Sequence, residues 1–201
     1  MKSYDISQEV FSCEVYPGDA APQKNEVMRM ERGDLYNLTE FSMCAHNGTH
    51  VDAPFHFLKD GKTVEKLALE KMIGFAYVAE CQGGVTAETA KVILDKAKES
   101  NKESMKRILL KGEAIVSNEA AEVFADARID LLGVESQSVG PKDAPMAVHK
   151  TLLGAEVVLL EGVRLLDVSE GVYFLNAAPL SLAGADGAPC RAVLLDMDFT
   201  L

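Results

Sequence analysis

From Gly74 to the C-terminus the sequence alternates short, almost wholly apolar runs with segments that read as capped amphipathic helices. Residues 74–81, 105–110, 129–134, 157–160, 172–175 and 192–195 are too short for buried helices and have the β-branched and leucine content of buried strands. Between them, Thr86 is placed to cap a helix over 87–99, whose Ala90, Ile93, Leu94 and Ala97 share one face. Ser117 caps a second helix over 118–127, with Glu119 and Glu122 near its positive end. Pro145 suits the first turn of a third, which Gly154 ends. Strand and helix in alternation imply a mixed α/β domain.

The first half is richer in strand signals. Residues 4–15 alternate loosely and close on Tyr16-Pro17-Gly18-Asp19, a turn sequence in which Pro presets φ. Residues 27–32 and 38–45 read as two more strands around Arg32-Gly33-Asp34. Asp196 and Asp198 alternate with Met197 and Phe199 and read as the solvated face of a last strand. With no linker, repeat or low-complexity block, residues 1–201 are expected to form one domain.

Charge narrows the functions open to such a domain. Asp plus Glu outnumber Lys plus Arg by 31 to 20, a net charge of −11, which repels phosphate backbones and anionic lipid. Nucleic-acid and membrane partners are therefore not expected. No run approaches the roughly 20 apolar residues of a membrane helix, and the N-terminus has no apolar signal core. The four cysteines, Cys13, Cys44, Cys81 and Cys190, are far apart and form no CxxC pair, which fits reduced thiols in a cytoplasmic protein.

Three of the four histidines fall in the eleven residues His46-Asn47-Gly48-Thr49-His50-Val51-Asp52-Ala53-Pro54-Phe55-His56. Imidazole and carboxylate are donors suited to zinc, manganese and related divalent ions. Gly48, the β-branched Thr49 and Val51, and Pro54 argue against a helix here, so the segment is expected on a strand end or turn. If it runs extended, His50 and Asp52 face the same side, and His46 joins them only through a sharp turn at Asn47-Gly48. A polar surface loop that merely contains histidines is the plain alternative. The fourth histidine, His149, and Glu161 lie within one helix–turn–strand unit, so the fold can bring them near each other; a helix-face histidine and a solvated strand-end glutamate are the alternative. A carboxylate ending so apolar a strand is costly unless paired or bound to a cation.

The eleven-residue segment matches the signature HxGTHxDxPxH and resembles the metal-dependent cyclase hydrolases, a group that includes bacterial kynurenine formamidases and isatin hydrolases. The resemblance continues through Asp5-Ile6-Ser7, Val15-Tyr16-Pro17-Gly18-Asp19, the segment Ala147-Val148-His149-Lys150-Thr151-Leu152-Leu153-Gly154 with Glu161, and Gly184-Ala185-Asp186-Gly187-Ala188-Pro189-Cys190-Arg191-Ala192. It implies a single domain built around a barrel-like mixed sheet with flanking helices, of the swivelling β/α type, assembled as a homodimer or homotetramer. It implies His46, His50 and Asp52 as ligands of one Zn²⁺ or Mn²⁺ ion, and Asp52, His149 and Glu161 as ligands of a second where two bind. His56 resembles the general acid/base, with a ligand or orienting role as the alternative. Tyr16, Pro17, Phe55, Glu135 and Ser138 fall where substrate contacts are implied. In the family's GxDxxSxD segment, Glu135 replaces the first Asp and Gly140 the last. The implied activity is hydrolysis of a small amide or formamide with a small-molecule substrate, arylformamidase chemistry being the default. A cyclic imide, lactone or isatin-like ring is the second substrate class, and a non-catalytic metal-binding protein the third reading.

Overall fold

Four adjacent strands with no polar face need cover on both sides, and the rest of the chain supplies it. The computed structural model describes residues 1–141 and 144–197. Its first half carries β1 (Lys2–Asp5), β2 (Gln23–Met28), β3 (Leu38–Ser42), β4 (His50–Asp52) and β5 (Ile73–Glu80). Then follow β6 (Gly83–Val85), α1 (Ala87–Ser100), β7 (Arg107–Lys111), β8 (Ala114–Val116), α2 (Asn118–Asp126), β9 (Leu131–Val134) and α3 (Pro145–Gly154). The chain ends with β10 (Val158–Glu161), β11 (Gly171–Asn176), β12 (Gly187–Pro189) and β13 (Val193–Asp196). Asp198 and Phe199 lie outside the described residues.

Nine strands form one sheet in the order β1-β13-β11-β5-β7-β9-β10-β4-β12. The central four, β5, β7, β9 and β10, are parallel, and every other pairing within this sheet is antiparallel. The sheet curls into a half-barrel with β1 and β12 at its edges. One face packs on the helices: Ile93 and Leu94 of α1, Phe124 of α2 and Leu152 and Leu153 of α3 meet Ile108, Leu110, Leu132 and Leu159. The other face holds Leu109, Leu131, Val158 and Leu160, closed over by Ile6, Met72, Leu165 and Leu194.

The caps fall where the sequence puts them. Thr86 Oγ1 accepts from the Thr89 amide at 3.2 Å, and Ser117 Oγ accepts from the Ala120 amide at 3.2 Å. At α3 the outcome differs. Gly154 stays helical, and the chain turns two residues later at Glu156, which takes a positive φ of 60°. The expected strand over 4–15 ends at Asp5, because side chains take over from the ladder: Asp5 accepts from the Ser7 amide, and Gln8 Oε1 from the Glu14 amide. The expected strand over 27–32 begins earlier, as β2, and gives way to a 3₁₀ turn at Met30–Arg32. The parallel pair β6–β8 and the edge strand β12 have no alternating pattern to reveal them. The Cys13, Cys44, Cys81 and Cys190 thiols are all free.

Phe124 is fully buried between helix and sheet. Phe124→Ala is expected to lower stability by about 3–5 kcal/mol. In urea the midpoint falls with an unchanged slope; an unchanged midpoint would contradict this packing.

Candidate metal centre

The antiparallel pairing of β4 with β10 sets Glu161 opposite His50, and its pairing with β12 sets Gly187 opposite Asp52. Side chains two residues apart share a face, so His50 and Asp52 project together beside Glu161. His50 Nε2 lies 3.4 Å from Asp52 Oδ1 and 3.5 Å from Glu161 Oε2. α3 delivers His149, whose Nε2 is 3.3 Å from Glu161 Oε1 and 3.8 Å from Asp52 Oδ2. His46 reaches the same place through a turn at Gly48, where φ is +65°, and its Nδ1 is 2.8 Å from Asp52 Oδ1. Gly187 lets the ring sit against the sheet, since a Cβ there would meet His46 Cε1 at 2.7 Å.

Three groups of donors result, each able to converge on one ion: His46, His50 and Asp52; Asp52, His149 and Glu161; and, less buried, His46, His56 and Asp186. His50, Asp52, His149 and Glu161 are buried. The outer nitrogens are all engaged. His50 Nδ1 donates to the Gly48 carbonyl at 3.0 Å and His149 Nδ1 to the Pro145 carbonyl at 2.8 Å, while His46 Nε2 meets Asp186 Oδ2 at 2.8 Å. Anchored outer nitrogens leave the inner ones as acceptors, the arrangement of metal-binding histidines. His50 Nε2 and Asp52 Oδ2 are buried with no hydrogen-bond partner. The residues fit a divalent cation, which would satisfy both orphaned atoms at once.

The electrostatics carry the same message. Burial disfavours charge on His50, but the Asp52 and Glu161 carboxylates outweigh it and push its pKa up to about 10. Burial opposes the charge of Asp52, yet the His46 and His50 imidazoles hold its carboxyl well below the usual range. His46 and His149 are also raised: burial lowers each, and Asp52 and Glu161 respectively prevail. Without a cation, the carboxylates favour the protonated forms of His46, His50 and His149.

His56 stands beside the cluster on a 3₁₀ turn, its Nδ1 3.0 Å from Asp186 Oδ2 and its ring 4.1 Å from that of His46. Phe57 packs edge-on against His56 at 4.5 Å and lies against His149 at 4.6 Å with its plane tilted by 33°. Asp186 was not marked in the sequence; 130 residues separate it from His56, and its Gly-Ala-Asp-Gly setting reads as a turn. The substrate candidates have varied surroundings. Glu135 spends both carboxylate oxygens on backbone amides, those of Gly112 at 2.6 Å and Leu165 at 2.8 Å. Tyr16 and Pro17 form a turn closed by the Asp19 amide, and Phe55 is 40% exposed next to His56. The Ser138 carbonyl accepts from Ser136 Oγ.

The Cyclase family model matches residues 4–141. The chain belongs to this family. It is 34% identical over 212 residues to a kynurenine formamidase of Salinibacter ruber, covering 98% of each chain. A solved structure described as a potential metal-dependent hydrolase with cyclase activity superposes with a TM-score of 0.81 at 28% identity, over 98% of each chain. An isatin hydrolase bound to the product analogue thioisatinate shares the fold, with a TM-score of 0.82 at 17% identity over 97% of this chain and 92% of that one.

Because an ion must displace protons from His50 and its neighbours, divalent-metal binding by the apoprotein is expected to release protons and to tighten as pH rises toward 8. Calorimetry in buffers of different ionisation enthalpy measures this directly. Binding with no proton release would contradict the charge balance described here.

Proposed function

We propose that the chain is a metal-dependent hydrolase of small amides, with N-formylkynurenine as the default substrate and water as the nucleophile. The observation that supports it most is the buried set of His50, Asp52, His149 and Glu161, with two unpartnered polar atoms, beside His56, which belongs to neither of the donor groups that contain Asp52. Divalent ions, Zn²⁺ or Mn²⁺ by donor type, would supply there an acidified water and positive charge for the carbonyl oxygen. Two ions sharing Asp52 is the stoichiometry that the donor groups favour. His56 has Nδ1 turned to Asp186, which leaves Nε2 to deliver a proton to the departing nitrogen. Phe57 walls the histidines and offers an aromatic face to an aryl substrate. The second substrate class, a cyclic imide, lactone or isatin-like ring, uses the same residues. The position of Glu135 favours it, since both its oxygens already accept from backbone amides, which leaves it less available to a substrate's ammonium group.

The β2–β3 hairpin supports self-association. Nearly all its strand residues are exposed, and it displays Val27, Met30, Leu35, Tyr36, Leu38 and Phe41, Leu35 at 88%. Two strands with so little cover are marginal alone, so a second copy of the chain is the occupant we assign to this arm, in a homodimer or homotetramer. The acidic balance disfavours nucleic acid as a partner, no described helix is long and apolar enough to cross a membrane, and the free thiols suit the cytoplasm.

Purified protein is expected to hydrolyse N-formylkynurenine, to stop on chelation and to recover with Zn²⁺ or Mn²⁺. His50→Ala should lose both metal and turnover. His56→Ala should keep its metal and lose roughly 10²–10⁴-fold in kcat. Full activity in His56→Ala would remove the acid/base assignment, and metal-loaded wild type inert toward formamides would move the substrate to the ring class. Light scattering should give a multiple of the chain mass of 21.7 kDa; a monomer would contradict the hairpin's assignment.

A further inference from the structure

We infer that Asp186 is a positioning residue that serves two histidines through one oxygen, anchoring the outer nitrogen of His46 while aiming the ring of His56. The inference rests on the acid/base reading of His56 above.

Its Oδ2 is 2.8 Å from His46 Nε2 and 3.0 Å from His56 Nδ1. Both are hydrogen-bond lengths, and an ionised carboxylate oxygen can only accept, so both rings place an N–H there. His46 Nδ1 faces Asp52 Oδ1 at 2.8 Å, and His56 turns Nδ1, not Nε2, to Asp186. The backbone sets this up. The Ala53 amide donates to the Asp186 carbonyl at 2.9 Å, and the Ala53 carbonyl accepts from the His56 amide at 2.9 Å. One residue after Asp52, therefore, a single peptide position clips Asp186 and His56 to the strand that carries the shared carboxylate. Gly187, next in sequence, pairs with Asp52 and gives the His46 ring its place. The rings of His46, Phe57 and His149 also surround His56 and restrict its tilt.

A carboxylate in this position does three things. It fixes the Nδ1–H tautomer of His56, so that Nε2 is the atom exchanging protons with substrate. It keeps the His46 ring from turning its inner nitrogen away from Asp52. It also ties the two together, so that displacement of one imidazole is felt by the other.

The test uses the full chain loaded with Zn²⁺ and compares wild type with Asp186→Ala. Long-range ¹H–¹⁵N correlation spectra should show wild-type His56 as the Nδ1–H tautomer and the variant shifted toward Nε2–H. Competition with a chromophoric chelator should show Zn²⁺ held about 10-fold less tightly in the variant. At saturating Zn²⁺, kcat for N-formylkynurenine should fall about 10–100-fold with KM changed less than about threefold. In a His56→Ala background the same substitution should change kcat by less than about twofold, since the ring it aims is gone. An unchanged His56 tautomer would overturn the inference. So would full additivity with His56→Ala, or the loss of a whole ion per chain at saturating Zn²⁺, which would make Asp186 a metal ligand. If wild type leaves formamides untouched while the tautomer and affinity shifts both appear, the positioning role stands and the formamidase reading fails.

Discussion

Burial of the Asp52 carboxylate is the constraint on which the rest of the site depends. At 1% exposure it has lost its water, and an isolated charge in that position would cost several kcal/mol. Histidines on both its oxygens hold it ionised. That solution is incomplete, because His50 Nε2 and Asp52 Oδ2 remain without hydrogen bonds. A divalent cation resolves both the charge and the orphaned atoms, so the demand for metal is built into the way the strand is buried.

The sheet makes that burial reproducible. β4 is only three residues long, yet it is paired on both sides, so a slip of one residue would turn His50 and Asp52 away from Glu161 and point Val51 at it. Val51 is fully buried in the opposite core, which makes such a slip costly. The parallel strands β9 and β10 and the crossover helix α3 then place His149 over the same spot. Core packing and donor geometry are two faces of one strand register.

The clustering of the candidate donors was legible because their spacing is local or nearly so. His46, His50, Asp52 and His56 lie within one short segment, and His149 and Glu161 within one helix–turn–strand unit. The period-two reading placed His50 and Asp52 on one face, and the turn required at Gly48 is present with positive φ. The helix caps at Thr86 and Ser117 were equally local. What sequence could not show depends on contacts between distant segments. Asp186 is silent until β12 is laid beside β4, and β12 itself, Gly-Ala-Pro, has no strand signal apart from that pairing. Glu135 looked available to substrate because nothing local reveals the amides of Gly112 and Leu165 that occupy it. The early strand over 4–15 failed for a related reason: its polar side chains satisfy the backbone that a ladder would otherwise need.

The central claim is that Asp52 is the shared anchor of the metal centre. It is tested most directly by counting bound metal, by plasma mass spectrometry after dialysis against Zn²⁺, in wild type, His149→Ala and Asp52→Ala. The account predicts that Asp52→Ala retains essentially no ion, whereas His149→Ala still binds through His46, His50 and Asp52. Wild-type metal content in Asp52→Ala would contradict it.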